Sequence, residues 1–319
     1  MTLRLGTRGS ALALAQSQMV ADALTRATGR LVQLVEIVTP GDRSLAPVAQ
    51  LGVGVFVSAL RDALADKEID FAVHSYKDLP TAPMDGLVIA AIPERADARD
   101  VLIARDGLTL AELPAGSTIG TGAVRRIAQL HGLGLSLNTV PIRGNIDTRL
   151  RKVTDGELDA VVLARAGLVR LGRADEITET LDPMLMLPAP AQGALAVECR
   201  ADDLDLIEAL SVLDHRATRA AVTAERALLA ALEAGCSAPV AGMAEVADDD
   251  DGGEEIYLRG AVFSEDGQQA VRLSRTGTLA DAEQIGRLLA ADLLELGADR
   301  LFGPTHVGSE DENVPGSAR

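Results

Sequence analysis

The sequence predicts an α/β protein with two similar α/β domains flanking a cleft and a small C-terminal α+β domain. Short apolar strands alternate with amphipathic helices over residues 3–163, as in parallel α/β sheets. After Asp214 the order becomes helix, strands, helix, which is typical of an α+β unit. Two pairs of short segments also resemble each other, as the repeats of a duplicated domain would: Gly6-Thr7-Arg8-Gly9-Ser10 with Gly120-Thr121-Gly122-Ala123, and residues 68–73 with residues 157–162.

The elements follow from these patterns in chain order. Strands are predicted at 3–5, 32–38, 69–73, 117–120, 139–142 and 158–163, with helices at 10–27, 56–65, 123–130 and 146–153. Linking strands are predicted at 86–92 and 100–105, a return crossing at 188–192 and a buried strand at 194–199. The C-terminal domain is predicted to contain a helix from 214 to 233, strands at 257–262 and 270–276, and a helix at 281–296.

The domain boundaries follow from the same order. The first α/β domain is predicted to be discontinuous and to consist of residues 1–95 and 192–213. The second α/β domain is predicted at 96–191 and the C-terminal domain at 214–305, followed by a disordered tail at 306–319. Residues 245–255 hold seven acidic side chains and are predicted to be a solvated hairpin loop.

Composition excludes several classes of protein. No apolar run approaches the roughly 18 residues that a membrane span needs, and the apolar stretch near the N-terminus is too short for a signal peptide, so we expect a cytoplasmic protein without membrane contact. The net charge of −17 and the absence of tryptophan argue against a nucleic-acid partner. The two cysteines and four histidines show no spacing that suits a metal site.

The two cysteines are predicted to differ in accessibility. Cys199 falls in a strand pattern and is expected to be buried and structural, whereas Cys236 falls in a loop pattern after a long helix. A cytoplasmic setting argues against a disulfide between them.

Positive charge is concentrated in one part of this acidic chain. Residues 119–173 contain eight arginines and one lysine against four acidic residues. Several of these arginines, with Arg8, follow predicted strands at helix N-termini, where free backbone N–H groups already favour anions. No Walker sequence and no Gly-x-Gly-x-x-Gly after a strand is present, so carboxylates are the preferred ligand over phosphate. The pattern predicts a small anionic ligand in the cleft.

The octapeptide Val73-His74-Ser75-Tyr76-Lys77-Asp78-Leu79-Pro80 is the most informative segment of the chain. It places a cation and a carboxylate together where a buried strand ends, and ligands of α/β sheets bind at the carboxyl ends of strands. The chain has only three lysines, and Lys77 is one of them. Lys77 and Asp78 are therefore candidates for catalysis, and a solvated turn with an incidental ion pair is the alternative.

Six motifs occur in order and together resemble the porphobilinogen deaminase family over about residues 2–303. They are Thr-Arg-Gly-Ser, the octapeptide, Gly-Thr-x-x-x-Arg-Arg, Arg-Gly-Asn-x-x-Thr-Arg-Leu, Pro-Ala-Gln-Gly-Ala and Gly-Cys-Ser-Ala-Pro. The resemblance implies a transferase of tetrapyrrole biosynthesis, the route to haem and porphyrins. Members, also called hydroxymethylbilane synthases, join four porphobilinogens head to tail with release of ammonia. It also implies two domains like periplasmic binding proteins followed by a third.

The resemblance assigns roles to individual residues. It implies a dipyrromethane cofactor attached covalently to Cys236, and catalysis by Asp78, expected to be a buried carboxylate, with its neighbour Lys77. The implied cofactor-binding residues are Ser75, Thr121, Arg125, Arg126 and Gln192. The implied substrate-binding residues are Arg8, Ser10, Arg143, Arg149 and Arg170. No metal is implied, and we expect a monomer whose partner is the small molecule porphobilinogen.

The chain departs from the family pattern at four positions. Many members carry lysines in the segment where Val53 and Ser58 stand, and many have two serines where Gly122 and Ala123 stand. We expect altered contacts to the growing chain and not a lost activity. A non-catalytic binding protein or sensor for an anionic metabolite, built on the same two-domain cleft, remains the alternative, and it would need neither Asp78 nor Cys236.

Overall fold

A computed structural model describes residues 2–38, 57–232, 239–248 and 252–301. Within them, the first α/β domain contains β1 (Leu3–Thr7), α1 (Ala11–Thr28), β2 (Val32–Glu36), α2 (Ser58–Ala65), β3 (Phe71–Ser75), β4 (Leu87–Ala91), β10 (Leu195–Arg200) and α6 (Leu204–Ser211). The second contains β5 (Asp100–Ala104), β6 (Thr118–Gly120), α3 (Val124–Gly132), β7 (Asn138–Val140), α4 (Ile146–Thr154), β8 (Ala160–Ala164), α5 (Arg165–Arg170) and β9 (Glu179–Thr180). The C-terminal domain contains α7 (Arg216–Ala231), β11 (Val240–Asp248), β12 (Glu254–Phe263), β13 (Ala270–Thr278) and α8 (Ala282–Glu295).

The two α/β sheets share one topology, which confirms the predicted duplication. The first sheet has the strand order β2-β1-β3-β10-β4 and the second has β7-β6-β8-β5-β9. In each sheet the first three strands are parallel, and the next strand, β10 or β5, runs antiparallel. The carboxyl ends of equivalent parallel strands therefore present equivalent loops to the cleft.

Local sequence signals fix the helix ends near the cleft. The Ser10 hydroxyl accepts a hydrogen bond from the Ala13 amide at the start of α1, and Asn145 caps α4 in the same way through Thr148. Gly29 ends α1 in the left-handed conformation, with φ at 73°. Apolar strand residues such as Phe71, Ile119 and Val161 are fully buried and anchor these helices to the sheets.

The two connections between the α/β domains run side by side. One leads from β4 to β5 and the other from β9 to β10. The Ala96 amide of the first donates to the Gly193 carbonyl of the second, at 3.3 Å. Gly193 has a φ of 87°, and a Cβ there would lie 2.5 Å from the Ala96 carbonyl oxygen. Glycine is therefore required where the two connections come into contact.

The C-terminal domain packs two helices on a three-stranded antiparallel sheet of order β11-β12-β13. Leu228 of α7, Leu258 of β12 and Leu289 of α8 are fully buried between them. The α+β prediction is confirmed, but the sequence analysis missed β11 entirely. The predicted loop at 245–255 is also wrong in extent, because β11 continues to Asp248 and β12 starts at Glu254. Of the acids in that segment, Glu245, Asp248 and Glu254 lie in these strands and are exposed, and Glu255 is partly buried.

Most other predicted elements are confirmed with boundaries shifted by a few residues, including the buried strand that carries Cys199. Two short helices, α5 and α6, were not predicted. The predicted disordered tail lies outside the described residues. No helix in the described part of the chain is long and apolar enough to cross a membrane.

Candidate active site

The candidate site lies where the octapeptide loop of the first α/β domain meets the connections and α3 of the second. β3 ends at Ser75 and leads into a single 3₁₀ turn, Tyr76–Asp78, which Pro80 and Pro83 keep from extending. On the other side β6 leads through Thr121 into α3, which carries Arg125 and Arg126 in its first turn. Hydrogen bonds through one buried carboxylate join the two sides.

That carboxylate belongs to Asp100, at the start of β5, and it is fully buried. Its Oδ2 accepts from Arg125 Nη2 at 2.7 Å and its Oδ1 from Arg126 Nη2 at 2.8 Å. Gln192 Nε2 donates to the same Oδ1 at 2.8 Å. Burial alone would raise the pKa of Asp100, but the two guanidinium groups hold that pKa well below its usual range. We call Asp100, Arg125, Arg126 and Gln192 the Asp100 cluster.

The Asp100 cluster holds its two arginines in place from several directions. Arg125 also donates to the Leu187 carbonyl, and Arg126 Nη1 donates to the Val162 carbonyl at 3.0 Å. Arg126 Nε is buried and has no hydrogen-bond partner among the described residues. Arg125 is therefore committed mainly to protein contacts, whereas Arg126 retains a donor that an anion could use.

Lys77 extends the Asp100 cluster into the first α/β domain. Its Nζ donates to Gln192 Oε1 at 3.2 Å, and Gln192 Nε2 also donates to the Ala98 carbonyl at 2.7 Å. Desolvation lowers the pKa of Lys77 to about 8, although the neighbouring Asp78 carboxylate opposes the shift. Gln192 thus orients the lysine from the connection between the domains.

Asp78 is exposed, which corrects the expectation of a buried carboxylate. β3 is buried from Phe71 to His74, and burial ends as the backbone turns into the 3₁₀ turn. An exposed carboxylate beside a fixed ammonium group is accessible to a ligand.

The lowered pKa of Lys77 predicts how stability depends on pH. The folded chain holds this proton less tightly than the unfolded chain, whose lysine titrates near 10.5. The cost of burying the charge is therefore fully present below about pH 8 and disappears as the pH rises from about 8 to 10.5. We expect the free energy of unfolding of the wild type to rise relative to that of Lys77→Met across this interval. Urea unfolding of both proteins at pH values along the interval measures the difference, and a constant difference would contradict the prediction.

A second group of arginines surrounds the Asp100 cluster. Arg149 Nε donates to the Gly144 carbonyl at 2.9 Å. Burial, followed by the charges of Arg126 and Arg143, lowers the pKa of Arg149, so these three cations lie close enough to repel one another. Such a concentration of guanidinium groups favours a ligand that carries several carboxylates.

Arg170 approaches from α5. Its Nη2 donates to the Gly193 carbonyl at 2.6 Å, and burial lowers the pKa of Arg170 to about 10. Its Nε is buried without a hydrogen-bond partner among the described residues. Arg8 is partly buried in the turn between β1 and α1. Of the arginines implied by the resemblance, Arg8 is the one that belongs to the first α/β domain.

The predicted hydroxyl residues make local contacts. Ser10 caps α1, and the Ser75 hydroxyl lies 3.0 Å from Gln16 Nε2 of the same helix. Thr121 is fully buried, and its hydroxyl accepts from the Ala123 amide at 3.3 Å. These side chains shape the loops at the strand ends.

The four departures from the family pattern lie in different surroundings. Val53 is outside the described residues, and Ser58 is exposed at the start of α2. A Cβ at Gly122 would lie 2.8 Å from the Ile142 carbonyl oxygen, so a serine there would force the backbone to move. Ala123 is partly buried and precedes α3. Glycine thus allows the β6–α3 loop to approach the residue before Arg143.

Cys236 lies outside the described residues, between the end of α7 and the start of β11. Cys199 is fully buried in β10, and burial raises the pKa of its thiol to about 11. Because the thiolate is the reactive form, Cys199 is a poor nucleophile. Of the two cysteines in the chain, Cys236 is the better candidate for a covalent attachment.

The sequence analysis missed Asp100, Arg95 and Glu225. Asp100 directly precedes the apolar run Val101–Ala104 of β5. An acid at the start of a buried strand could have indicated a buried carboxylate that needs cationic partners. Glu225 is fully buried in α7 and accepts from Arg95 Nη1 at 2.6 Å and from the Ala244 amide at 2.6 Å. Arg95 also donates to the Gln192 carbonyl, so this ion pair attaches the C-terminal domain to the same connection that orients Lys77.

The site suits organic anions. Within residues 2–38, 57–232, 239–248 and 252–301, no group of three or more His, Cys, Asp or Glu side chains could hold a metal ion. The arrangement offers fixed guanidinium groups for carboxylates, and one exposed carboxylate that can stabilise a developing cation.

Two family models match the chain. Residues 3–208 match the porphobilinogen deaminase, dipyromethane cofactor binding domain, and residues 219–295 match the porphobilinogen deaminase, C-terminal domain. A porphobilinogen deaminase of Nocardia farcinica is 63% identical over 304 residues, covering 94% of this chain and 88% of that protein. The protein of the same name from Mycobacterium tuberculosis is 59% identical over 304 residues, covering 94% and 98%. Among solved structures, a periplasmic substrate-binding protein of an ABC transporter from Coxiella burnetii aligns with 66% of this chain and 91% of its own, with a TM-score of 0.43 and 14% identity.

Proposed function

The chain belongs to the porphobilinogen deaminase family, and from that premise we propose which of its residues carry out the family's reaction. It is a transferase of tetrapyrrole biosynthesis that condenses four porphobilinogens head to tail into hydroxymethylbilane, with release of ammonia and with a dipyrromethane cofactor as primer. The alternative of a non-catalytic binding protein is thereby set aside. One observation carries the assignment of residues: Gln192 joins Lys77 of the octapeptide loop to Asp100 and its two arginines.

The residues at the cleft fit a dipyrromethane, whose rings carry acetate and propionate groups. The buried guanidinium Nε atoms of Arg126 and Arg170 have no hydrogen-bond partner within the described residues, and carboxylate oxygens would satisfy them. We propose that Arg126 binds a cofactor carboxylate directly, while Arg125 and Gln192 act with it by holding Asp100 and Lys77 in place. We propose that Ser75 and Thr121 contribute through the loops that they shape. When bound through Cys236, the cofactor supplies the free ring carbon on which the first porphobilinogen is added.

We propose that Asp78 stabilises the cationic stage of each condensation. The carbon–nitrogen bond of the protonated aminomethyl group breaks, ammonia leaves with the bonding electrons, and the substrate pyrrole becomes a methylene-pyrrolium cation. The Asp78 carboxylate is exposed and can accept a hydrogen bond from the pyrrole N–H as that charge develops. A ring carbon then forms a carbon–carbon bond with the methylene group and loses its proton, which we propose that Asp78 accepts. Lys77, fixed by Gln192, keeps a positive charge beside Asp78 at neutral pH.

The remaining arginines are proposed to bind the carboxylates of porphobilinogen and of the growing chain. Arg143 and Arg149 lie beside Arg126, and mutual repulsion among the three is relieved when carboxylates arrive. Arg170 contributes its unpartnered Nε. Arg8 and Ser10 stand at the N-terminus of α1, where the helix dipole adds to the attraction.

This assignment predicts that the outer arginines act at particular stages of elongation. Successive pyrroles occupy different places, so Arg143→Leu and Arg149→Leu should change the distribution of covalent intermediates that carry one to three added units. Arg151→Leu is the matched control, because Arg151 lies on the same helix as Arg149 and is exposed. Mass spectrometry of each variant after mixing with porphobilinogen gives the distribution. Identical distributions for Arg149→Leu and Arg151→Leu would contradict the proposal.

We also propose the division of the chain into residues 1–95 with 192–213, 96–191 and 214–305. Sheet membership supports it, since β10 belongs to the first sheet although it follows the second in sequence. We propose a cytoplasmic monomer without nucleic-acid or membrane partners. The acidic net charge and the pattern of cysteine use support this part of the proposal.

A further inference from the structure

The octapeptide loop is held from outside by an arginine of the C-terminal domain. Arg226, on α7, donates from Nη1 to the carbonyl oxygens of Tyr76 and Leu79, at 3.2 and 3.0 Å. Its Nη2 donates to the Pro80 carbonyl at 2.6 Å. The guanidinium carbon lies 4.3 Å from the centre of the Tyr76 ring. One side chain therefore contacts the loop on both sides of Lys77 and Asp78.

Arg226 makes these contacts at the cost of desolvating its charge, and the contacts are directed to main-chain carbonyl oxygens of the loop. Burial lowers the pKa of Arg226, which means that the cation loses hydration where it stands. Within the described residues no carboxylate lies within ion-pair distance of Arg226, so its hydrogen bonds go to main-chain carbonyl oxygens. The loop has few hydrogen bonds of its own: the Tyr76 amide donates to Ala194, and the Leu79 amide donates to Tyr76 at 3.3 Å. The planar guanidinium group of Arg226 binds three carbonyl oxygens at once and so restrains the backbone of the 3₁₀ turn, which has few hydrogen bonds of its own.

We propose that Arg226 is a positioning residue that fixes Asp78 relative to the C-terminal domain. In sequence Arg226 precedes Cys236 by ten residues, so the helix that holds the loop leads into the segment that carries the proposed attachment site. The proposal rests on the catalytic role proposed for Asp78. Loss of Arg226 should displace the Asp78 carboxylate from the substrate pyrrole, and small displacements of a catalytic group cost large factors in rate.

The test compares Arg226→Gln with Arg219→Gln in the protein as purified with its cofactor. Arg219 lies two turns earlier on α7 and also donates to main-chain carbonyls of the first α/β domain, those of Ile89 and Ala90, but not to the loop. We expect Arg226→Gln to lower kcat for porphobilinogen about tenfold, with KM changed by less than about twofold. Arg226→Lys, which keeps the charge but not the fork, should fall between Arg226→Gln and the wild type. Arg219→Gln should lose thermal stability while keeping kcat.

A double-mutant cycle separates positioning from a general effect on stability. If Arg226 acts through Asp78, Arg226→Gln should lower kcat by less than about twofold in an Asp78→Asn background. A full, multiplicative loss there would overturn the proposal, as would equal kcat values for Arg226→Gln and Arg219→Gln. If Asp78→Asn lowers turnover while Arg226→Gln does not, the role of Arg226 alone is wrong. If Asp78→Asn keeps full turnover, the catalytic role of Asp78 fails and the positioning proposal fails with it.

Discussion

Asp78→Asn is expected to lower the turnover of porphobilinogen by about 10²-fold or more while the protein stays folded, the scale expected for losing one preorganised electrostatic group. Asparagine keeps the size of the side chain and one acceptor oxygen but removes the negative charge that would face the cationic pyrrole. Because Asp78 is exposed, the change removes no buried contact. Steady-state turnover and thermal unfolding of the variant measure the two effects separately.

Two comparisons make this prediction specific. Asp106→Asn is the matched control, since Asp106 is also an exposed acid in a 3₁₀ turn after a strand, β5, and asparagine tolerates its φ of 59°. It should keep normal turnover. If Asp78 only paired with Lys77, Lys77→Met would be as damaging as Asp78→Asn, and the damage would appear in stability. Near-normal turnover of folded Asp78→Asn protein would remove Asp78 from the mechanism.

Local patterns predicted the parts of the fold that local physics decides. The helices predicted from residues 10 and 146 begin at Ala11 and Ile146, and the side chains of Ser10 and Asn145 cap their first turns. The short similarity between residues 6–10 and 120–123 identified the duplication, which appears as the same strand order in both sheets. Those segments lie at the carboxyl ends of equivalent strands, β1 and β6, where the chain turns from a strand into a helix in both domains.

Contacts between distant residues were beyond the sequence patterns. Asp100 pairs with Arg125 and accepts from Gln192, which is 92 positions away. No periodicity connects such residues, so the arginine pair was interpreted only as a ligand-binding feature. The exposure of Asp78 was missed for a similar reason, because a strand pattern does not indicate how sharply burial ends in the following turn. β11 was missed because its outer half is acidic and resembles a loop in composition.

Cys236→Ser is the second change with a large expected effect. A thioether to the cofactor requires a thiolate, and serine offers a hydroxyl that is a far weaker nucleophile at neutral pH. The variant should therefore lack the covalent cofactor and should have no activity. Cys199→Ser is the matched control: it replaces a buried thiol with a hydroxyl, which costs stability but leaves the attachment intact.

The central claim is that the tetrapyrrole is built on a covalent tether at Cys236, and the intact mass of the purified proteins tests it most directly. The wild type and Cys199→Ser should each exceed the mass of the polypeptide by one dipyrromethane, and brief mixing with porphobilinogen should add further steps of one porphobilinogen less ammonia. Cys236→Ser should show the polypeptide mass alone before and after mixing. A dipyrromethane adduct on Cys236→Ser protein, or an unmodified mass for active wild type, would contradict the claim.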